Sequence, residues 1–121
     1  MNDLLGLFTA YTDAFDKFDA HAIANQYCLP CAISDADGNL TFTEHSALVE
    51  KFEKNCDAMK EMGYHSASFE IQSDKRLGDN ARAVDIKWTI HTRSQKIPFR
   101  TLYICHLTEH GWRIFSANVY N

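Results

Sequence analysis

The sequence predicts an α+β fold in which three helices pack on one face of a curved antiparallel sheet and enclose a cavity. Two observations predict it. Helical spacing of apolar residues dominates the first half of the chain, and four β-like runs separated by turn signals fill the second half. A curled sheet closed by helices forms a cone with an open mouth, which is a common place for a small-molecule pocket. With 121 residues, 45% of them hydrophobic, the chain fits one domain over residues 1–121.

Two helices are expected at the start. Apolar side chains recur every three or four positions in residues 3–17, with Asn2 or Asp3 as the N-cap. A shorter helix is expected to begin at the N-cap Asp19 and to end before Pro30. Their apolar faces comprise Leu4, Phe8, Tyr11, Phe15, Phe18, Ile23 and Tyr27.

A short hairpin and a third helix come next. Residues 31–35 and 39–43 are β-like and flank Ala36-Asp37-Gly38, a turn signal. The third helix is expected to start at Thr43 or Glu44 and to end at Gly63, a C-terminal cap. Its buried stripe is Leu48, Phe52, Cys56 and Met59.

Four long strands in meander order are predicted for residues 64–72, 81–93, 97–108 and 112–120. Apolar and polar residues alternate along each run, and short turns join them. A tight turn at 94–96 places Trp88 on the same side as Phe99. The predicted inner face comprises His65, Ala67, Phe69, Ile71, Val84, Ile86, Trp88, Ile90, Phe99, Thr101, Tyr103, Cys105, Leu107, Trp112, Ile114, Ser116, Asn118 and Tyr120.

Composition argues against several classes of function. The net charge of -4, without a basic stripe, disfavours nucleic acid as a partner. No apolar run approaches the roughly 20 residues that span a bilayer, so we expect no membrane partner and a cytoplasmic location. Cys28-Leu29-Pro30-Cys31 has redox spacing but follows a predicted helix, whereas thioredoxin-type motifs precede one. Metal-ligand spacing and phosphate-binding motifs are absent from the sequence, so we predict neither a metal nor a cofactor.

Three stretches carry a resemblance to a known family: residues 7–15, residues 22–35, and Gly111-Trp112-Arg113-Ile114. From Leu4 to Tyr120 the chain resembles the nuclear transport factor 2-like superfamily, in its SnoaL-like and ketosteroid-isomerase-like branch. The resemblance implies a cystatin-like fold. This superfamily includes isomerases, polyketide cyclases, hydrolases, dehydratases and noncatalytic domains, so the fold alone does not name a reaction.

The resemblance also implies a site. In ketosteroid isomerases a first-helix tyrosine donates to the oxyanion and a first-strand aspartate is the general base, and Tyr11 and Asp35 are similar to them in position and separation. Cys105 stands where that family has a third, acidic residue, and a thiol is a weaker donor. We expect a ligand to contact His65, Trp88, Tyr103, Cys105 and Asn118.

Alternatives remain open for both catalytic candidates. Asp35 in an apolar pocket can abstract a proton α to a carbonyl or position a water, but it can also serve only the turn before Gly38. Tyr11 can donate to an oxyanion, but it can also be an aromatic core residue. The domain is therefore a cofactor-independent isomerase, cyclase or dehydratase, a noncatalytic ligand-binding or dimerisation module, or a structural domain with a filled cavity.

A homodimer is the expected assembly. Charged residues alternate with core residues on the outer face of the long strands, where no predicted helix covers them, and the resembled superfamily often dimerises through that face. The residues concerned are Glu70, Asp85, Lys87, Arg100 and His106.

Overall fold

The computed structural model describes residues 3–120 and confirms the predicted α+β class. Three helices and six strands follow one another in the predicted order. They are α1 (Asp3–Asp16), α2 (Ala20–Ala24), β1 (Tyr27–Asp35), β2 (Gly38–Phe42), α3 (His45–Glu61), β3 (Tyr64–Arg76), β4 (Ala81–Thr92), β5 (Lys96–Thr108) and β6 (Gly111–Tyr120). Among residues 3–120, no helix is both long and apolar enough to cross a lipid bilayer.

All six strands form one sheet in the order β2-β1-β6-β5-β4-β3. Strands β3 to β6 pair antiparallel in the predicted meander. Trp88 lies opposite Phe99, which confirms the predicted register of β4 and β5. Strand β1 pairs parallel to β6, so the first hairpin extends the far end of the meander.

The core lies between the helices and the concave face of the sheet. Phe8 of α1 is fully buried, and its ring centroid lies 4.8 Å from that of Tyr103 on β5. Val84 and Ile86 of β4 are also fully buried. Trp88 is 5% exposed, so its predicted burial is confirmed. The alternation along β4 thus directs its apolar residues toward the helices.

The second helix is shorter than predicted. Asp19 accepts a hydrogen bond from the backbone nitrogen of Ala22 at 3.1 Å, which confirms it as the N-cap. The helix ends at Ala24, and the prediction of Tyr27 in this helix is wrong because the chain is already paired with the sheet there. The backbone nitrogen of Ile114 donates to the carbonyl oxygen of Gln26 at 2.8 Å. Asn2, a candidate N-cap of α1, lies outside the described residues.

Two β-bulges reverse the predicted orientation of several side chains. On β3, Tyr64 pairs with Thr92 and Ser66 pairs with His91, so His65 is an extra residue. His65 is therefore exposed, whereas Tyr64 is buried. A bulge adds one residue to one strand and so inverts the in–out alternation beyond it.

The second bulge lies on β6. Cys105 pairs with Ile114 but Ile104 pairs with Ser116, which leaves Phe115 as the extra residue. Beyond the bulge, Ala117 is the buried residue and Asn118 is exposed. The predicted inner face for Ser116, Asn118 and Tyr120 is wrong for this reason.

Candidate functional site

A cavity of about 400 Å³ lies between α1, α3 and the concave face of the sheet. This volume is within the range of small-molecule pockets. Its wall is mostly apolar, with a few polar groups. The lining residues are Tyr11, Phe15, Tyr27, Ile33, Asp35, Ala36, Asp37, Phe52, Asn55, Ala58, Met59, Tyr64, Ala67, Trp88, Ile90, Phe99, Thr101, Tyr103, Ala117 and Val119.

Buried phenols are among the polar groups of the cavity wall. The hydroxyls of Tyr11 and Tyr27 share a hydrogen bond of 2.8 Å, and Trp88 Nε1 donates to the Tyr103 hydroxyl at 2.9 Å. Burial raises the pKa of Tyr11, Tyr27 and Tyr103 well above 10, because an apolar environment disfavours the phenolate. These phenols therefore present neutral hydroxyls to a ligand at physiological pH.

Thr101 is a buried hydroxyl at the cavity wall, next to this network. The residue is 1% exposed, and within residues 3–120 its Oγ1 atom forms no hydrogen bond of acceptable geometry. Burial raises the pKa of Tyr103, and the nearby Thr101 hydroxyl offsets part of that rise, so the two groups are neighbours. A buried polar group without a partner costs free energy, which makes Thr101 a candidate contact for a ligand.

Asp35 lies where β1 ends and contributes to the same cavity wall as Tyr11. Its Oδ1 accepts from the backbone nitrogen of Asp37 at 2.9 Å, as in an Asx turn. Its Oδ2 lies 3.1 Å from the ammonium of Lys51. The two alternatives for Asp35 are thus compatible, since the carboxylate serves the turn and also borders the cavity.

Lys51 is the residue of this site that the sequence analysis missed. It lies on α3 with its side chain 5% exposed, and its ammonium is 2.8 Å from Asp37 Oδ2 as well as 3.1 Å from Asp35. A signal was present in the sequence, because Lys51 follows Leu48 by three positions and so falls on the buried stripe of α3. A lysine there needs an acidic partner, and the nearby hairpin turn contains two.

Two further cavity phenols were missed, Tyr27 and Tyr64. Tyr27 was assigned to a helix. Tyr64 donates its hydroxyl to Asp16 Oδ1 at 2.6 Å, and the same oxygen accepts from the backbone nitrogen of Ala67 at 3.2 Å. Burial raises the pKa of Tyr64, with Asp16 raising it further. These contacts attach the start of β3 to the end of α1.

The predicted site residues separate into two groups. Tyr11, Asp35, Trp88 and Tyr103 line the cavity together. The other three, Cys105, His65 and Asn118, do not line it, and this geometry gives no support to their predicted contact with a cavity ligand.

Each of those three residues has a physical reason for its position. Cys105 is fully buried in the core, where burial raises the pKa of its thiol to about 12. His65 is exposed on the bulge of β3 and contacts Ser66 Oγ at 3.3 Å. Asn118 is exposed beyond the bulge of β6, and its Nδ2 donates to the carbonyl oxygen of Leu102 at 3.1 Å.

Neither thiols nor metal-binding clusters add to the site. Cys28 and Cys31 lie on β1, and burial raises the pKa of both, to about 11 for Cys31. A raised pKa disfavours the reactive thiolate. In the part of the chain that the structure describes, no group of three or more His, Cys, Asp or Glu side chains is arranged to hold a metal ion.

Several solved structures share this fold. An NTF-2-like protein of unknown function from Shewanella oneidensis MR-1 is similar in structure, with a TM-score of 0.80 at 15% identity over 98% of this chain and 97% of that one. A domain of unknown function with a cystatin-like fold from Nostoc punctiforme matches with a TM-score of 0.80 at 10% identity, over 96% and 73% of the two chains. A ketosteroid isomerase-like protein from Erwinia carotovora atroseptica matches with a TM-score of 0.69 at 15% identity, over 95% and 90%. These identities show a shared fold and leave the activity open.

No curated protein matches the chain in sequence. The model of the family described as NTF2-like protein (DUF6841), however, matches residues 3–121. That match covers nearly the whole chain, and the chain therefore belongs to this family of NTF2-like proteins.

Proposed function

We propose that this protein binds a small, largely apolar molecule with at least one hydrogen-bonding oxygen in the cavity between α1, α3 and the sheet. The observation that carries the proposal is the combination of about 400 Å³ of space with an unpaired buried hydroxyl at its wall. Apolar walls provide most of the affinity of such pockets, and a few placed polar groups orient the ligand.

The filled-cavity alternative has less support. It requires Trp88, Trp112 and Phe69 to occupy the centre of the cone, whereas Trp88 belongs to the cavity wall and the other two are partly buried residues packed against the core. A purely structural domain also gains nothing from a buried Thr101 hydroxyl without a partner.

A direct test uses native mass spectrometry of the purified protein for a retained ligand, followed by calorimetric titration with naphthol. Naphthol combines an apolar ring system with one neutral hydroxyl. We expect saturable binding at a stoichiometry of one per chain. Absence of a retained ligand together with absence of naphthol binding would refute the proposal.

Two tryptophan variants of α3 show where the probe binds. Ala58 is exposed and lies at the cavity, so Ala58→Trp is expected to narrow the mouth and weaken naphthol binding by at least about tenfold. Glu53, exposed on the same helix but outside the cavity wall, is the matched control. Equal losses in Ala58→Trp and Glu53→Trp would place the probe elsewhere.

Proton transfer at the α-carbon of a bound ketone is a second candidate function. The observation favouring it is that Asp35 and Tyr11 line one cavity. In this reaction the Asp35 carboxylate takes the α-proton, the C–H electron pair becomes the enolate, and a neutral phenol donates a hydrogen bond to the enolate oxygen. The protonated Asp35 then returns the proton to carbon, so no cofactor is required.

Exchange of α-hydrogens of tetralone for solvent deuterium, followed by NMR, tests this second candidate. Enzyme chemistry predicts exchange faster than in buffer, with a loss of at least about a hundredfold in Asp35→Asn. Binding of tetralone without accelerated exchange would leave the protein as a noncatalytic binding module.

A further inference from the structure

Lys51 places a buried positive charge beside a mostly apolar cavity. Its side chain is 5% exposed, and its ammonium lies 3.1 Å from Asp35 Oδ2 and 2.8 Å from Asp37 Oδ2. The two carboxylates differ in exposure, since the Asp35 side chain is 19% exposed and that of Asp37 is 61% exposed. A buried ammonium persists only with such partners, because an unpaired buried charge is costly.

The Asp35 carboxylate is the charged group through which Lys51 acts on the cavity. Asp35 lines the cavity, and its Oδ1 is held by the backbone nitrogen of Asp37 at 2.9 Å while Lys51 holds its Oδ2. The carboxylate is therefore fixed in orientation from two sides. Lone pairs remain on both oxygens for a ligand or a water.

The ion pair decides which charge a ligand in the cavity experiences. Alone, Asp35 is a negative charge at the edge of a low-dielectric space, where it attracts an organic cation. With Lys51 in contact, the positive charge offsets much of the negative charge of Asp35 at the distance of a ligand. Asp37 also lines the cavity and shares the Lys51 ammonium, but its carboxylate is mostly exposed and solvent screens its remaining charge. The neutral phenols of Tyr11 and Tyr103 add no charge to the wall.

We propose that Lys51 determines the charge selectivity of this cavity: by neutralising Asp35, it makes the site accept uncharged ligands and reject organic cations. The inference rests on the proposed binding function and narrows the ligand class to neutral molecules. It also assigns Lys51 a role separate from the stability of α3, since the charge, and not only the packing of its side chain, is required.

The test compares three probes of one shape. Naphthol, naphthoate and naphthylmethylammonium, all substituted at the same ring carbon, are titrated calorimetrically at neutral pH. The proteins are the wild type, Lys51→Met, Asp35→Asn and the double variant Lys51→Met/Asp35→Asn. Lys51→Met keeps most of the length of the side chain and removes the charge, and Asp35→Asn removes the charge of its partner at nearly the same shape. Glu50→Gln is the matched control, because it removes an exposed carboxylate of the same helix that lies outside the cavity wall.

The expected shifts have opposite signs. In Lys51→Met, binding of the cation is expected to improve about tenfold or more relative to naphthol. In Asp35→Asn, binding of naphthoate is expected to improve by a similar factor. A factor of this size corresponds to the interaction of two charges about 6 Å apart at intermediate dielectric. The double variant is expected to return to within about threefold of the wild-type preference, because its site has the same summed charge as the wild type. Glu50→Gln is expected to change the preference by less than about threefold, because its charge is exposed and screened.

Each outcome decides the inference. Shifts of the same sign in both single variants, or no shift beyond that of Glu50→Gln, would overturn the role of Lys51 while naphthol binding upholds the proposed function. Failure of every probe to bind the wild type would overturn both. If Lys51→Met does not fold, two results still test the inference: the gain in naphthoate binding in Asp35→Asn, and the return to the wild-type preference in the double variant. Lys51→Arg, which keeps the charge, is expected to retain the wild-type preference.

Discussion

Replacement of Thr101 by valine should stabilise the ligand-free protein. Valine has nearly the shape of threonine and an equal preference for strands, and Thr101 lies on β5 opposite Ile86. The change removes a hydroxyl that is 1% exposed and has no hydrogen bond among the described residues. Because an unsatisfied buried hydroxyl costs about 1–3 kcal/mol, its removal is expected to raise the free energy of unfolding by about 1 kcal/mol.

The assay is thermal and urea denaturation without ligand. For a chain of this size, about 1 kcal/mol corresponds to a rise in Tm of roughly 3–5 °C. The same variant is expected to bind naphthol more weakly than the wild type, because the probe loses a hydrogen-bond partner. A gain in stability together with a loss of binding is the signature of a polar group retained for a ligand.

Thr12→Val is the matched control. Thr12 is also buried, at 8% exposed, but its Oγ1 donates to the carbonyl oxygen of Phe8 at 2.7 Å. Loss of that bond is expected to destabilise the protein by about 0.5–1.5 kcal/mol. If Thr101→Val destabilises the protein as much as Thr12→Val, the Thr101 hydroxyl has a partner within the protein, and the reasoning that points it at a ligand is refuted.

Three other predictions concern the core, the phenols and the assembly. Trp88→Ala is expected to lower the free energy of unfolding by about 3–5 kcal/mol, because it leaves a cavity at a packed position and removes the hydrogen bond to Tyr103. Thermal melts measure the loss, and a negligible change in Tm would contradict the burial of Trp88. All five tyrosines have a raised pKa, so the stability they confer is complete below the unfolded value of about 10 and is lost as pH rises through the folded values. As pH rises, tyrosinate absorbance of the cavity phenols should therefore appear only together with loss of the circular dichroism signal. A full tyrosinate signal from protein that keeps its native circular dichroism would contradict this prediction. We also propose a homodimer through the outer sheet face, where Leu102 is 37% exposed. Light scattering at micromolar concentration should give twice the chain mass for the wild type and the mass of one chain for Leu102→Lys. A wild-type monomer would exclude this interface.

The parts of the fold that follow from local pattern could be predicted from the sequence. The alternation around Trp88 gave the correct face and register of β4 and β5, and the helical stripe gave the correct burial of Tyr11. Asp19 was recognised as a cap because capping is a local contact. Each of these features depends on residues close together in the chain.

The errors arose where one residue changes the phase of a pattern. His65 and Phe115 are the extra residues of two bulges. A bulge exchanges the inner and outer residues of a strand beyond it, and the alternation of the sequence does not show where that exchange occurs. The face of Asn118 was therefore inverted although its strand was correctly placed. Lys51 was overlooked for a different reason, because its partner Asp35 comes from another element and pairing between elements is invisible to periodicity.

The parallel pairing of β1 with β6 has a consequence for how the molecule assembles. Cys28 Sγ donates to the carbonyl oxygen of Ile114 at 3.4 Å across 86 positions of the chain, whereas β3 to β6 pair with their sequence neighbours. Contacts of such separation carry a large loop-closure entropy and tend to form late in folding. Asp35 and Tyr27 belong to β1, so the meander can form before the cavity wall is complete. Ligand binding should consequently report the last step of folding, after most of the sheet has become native.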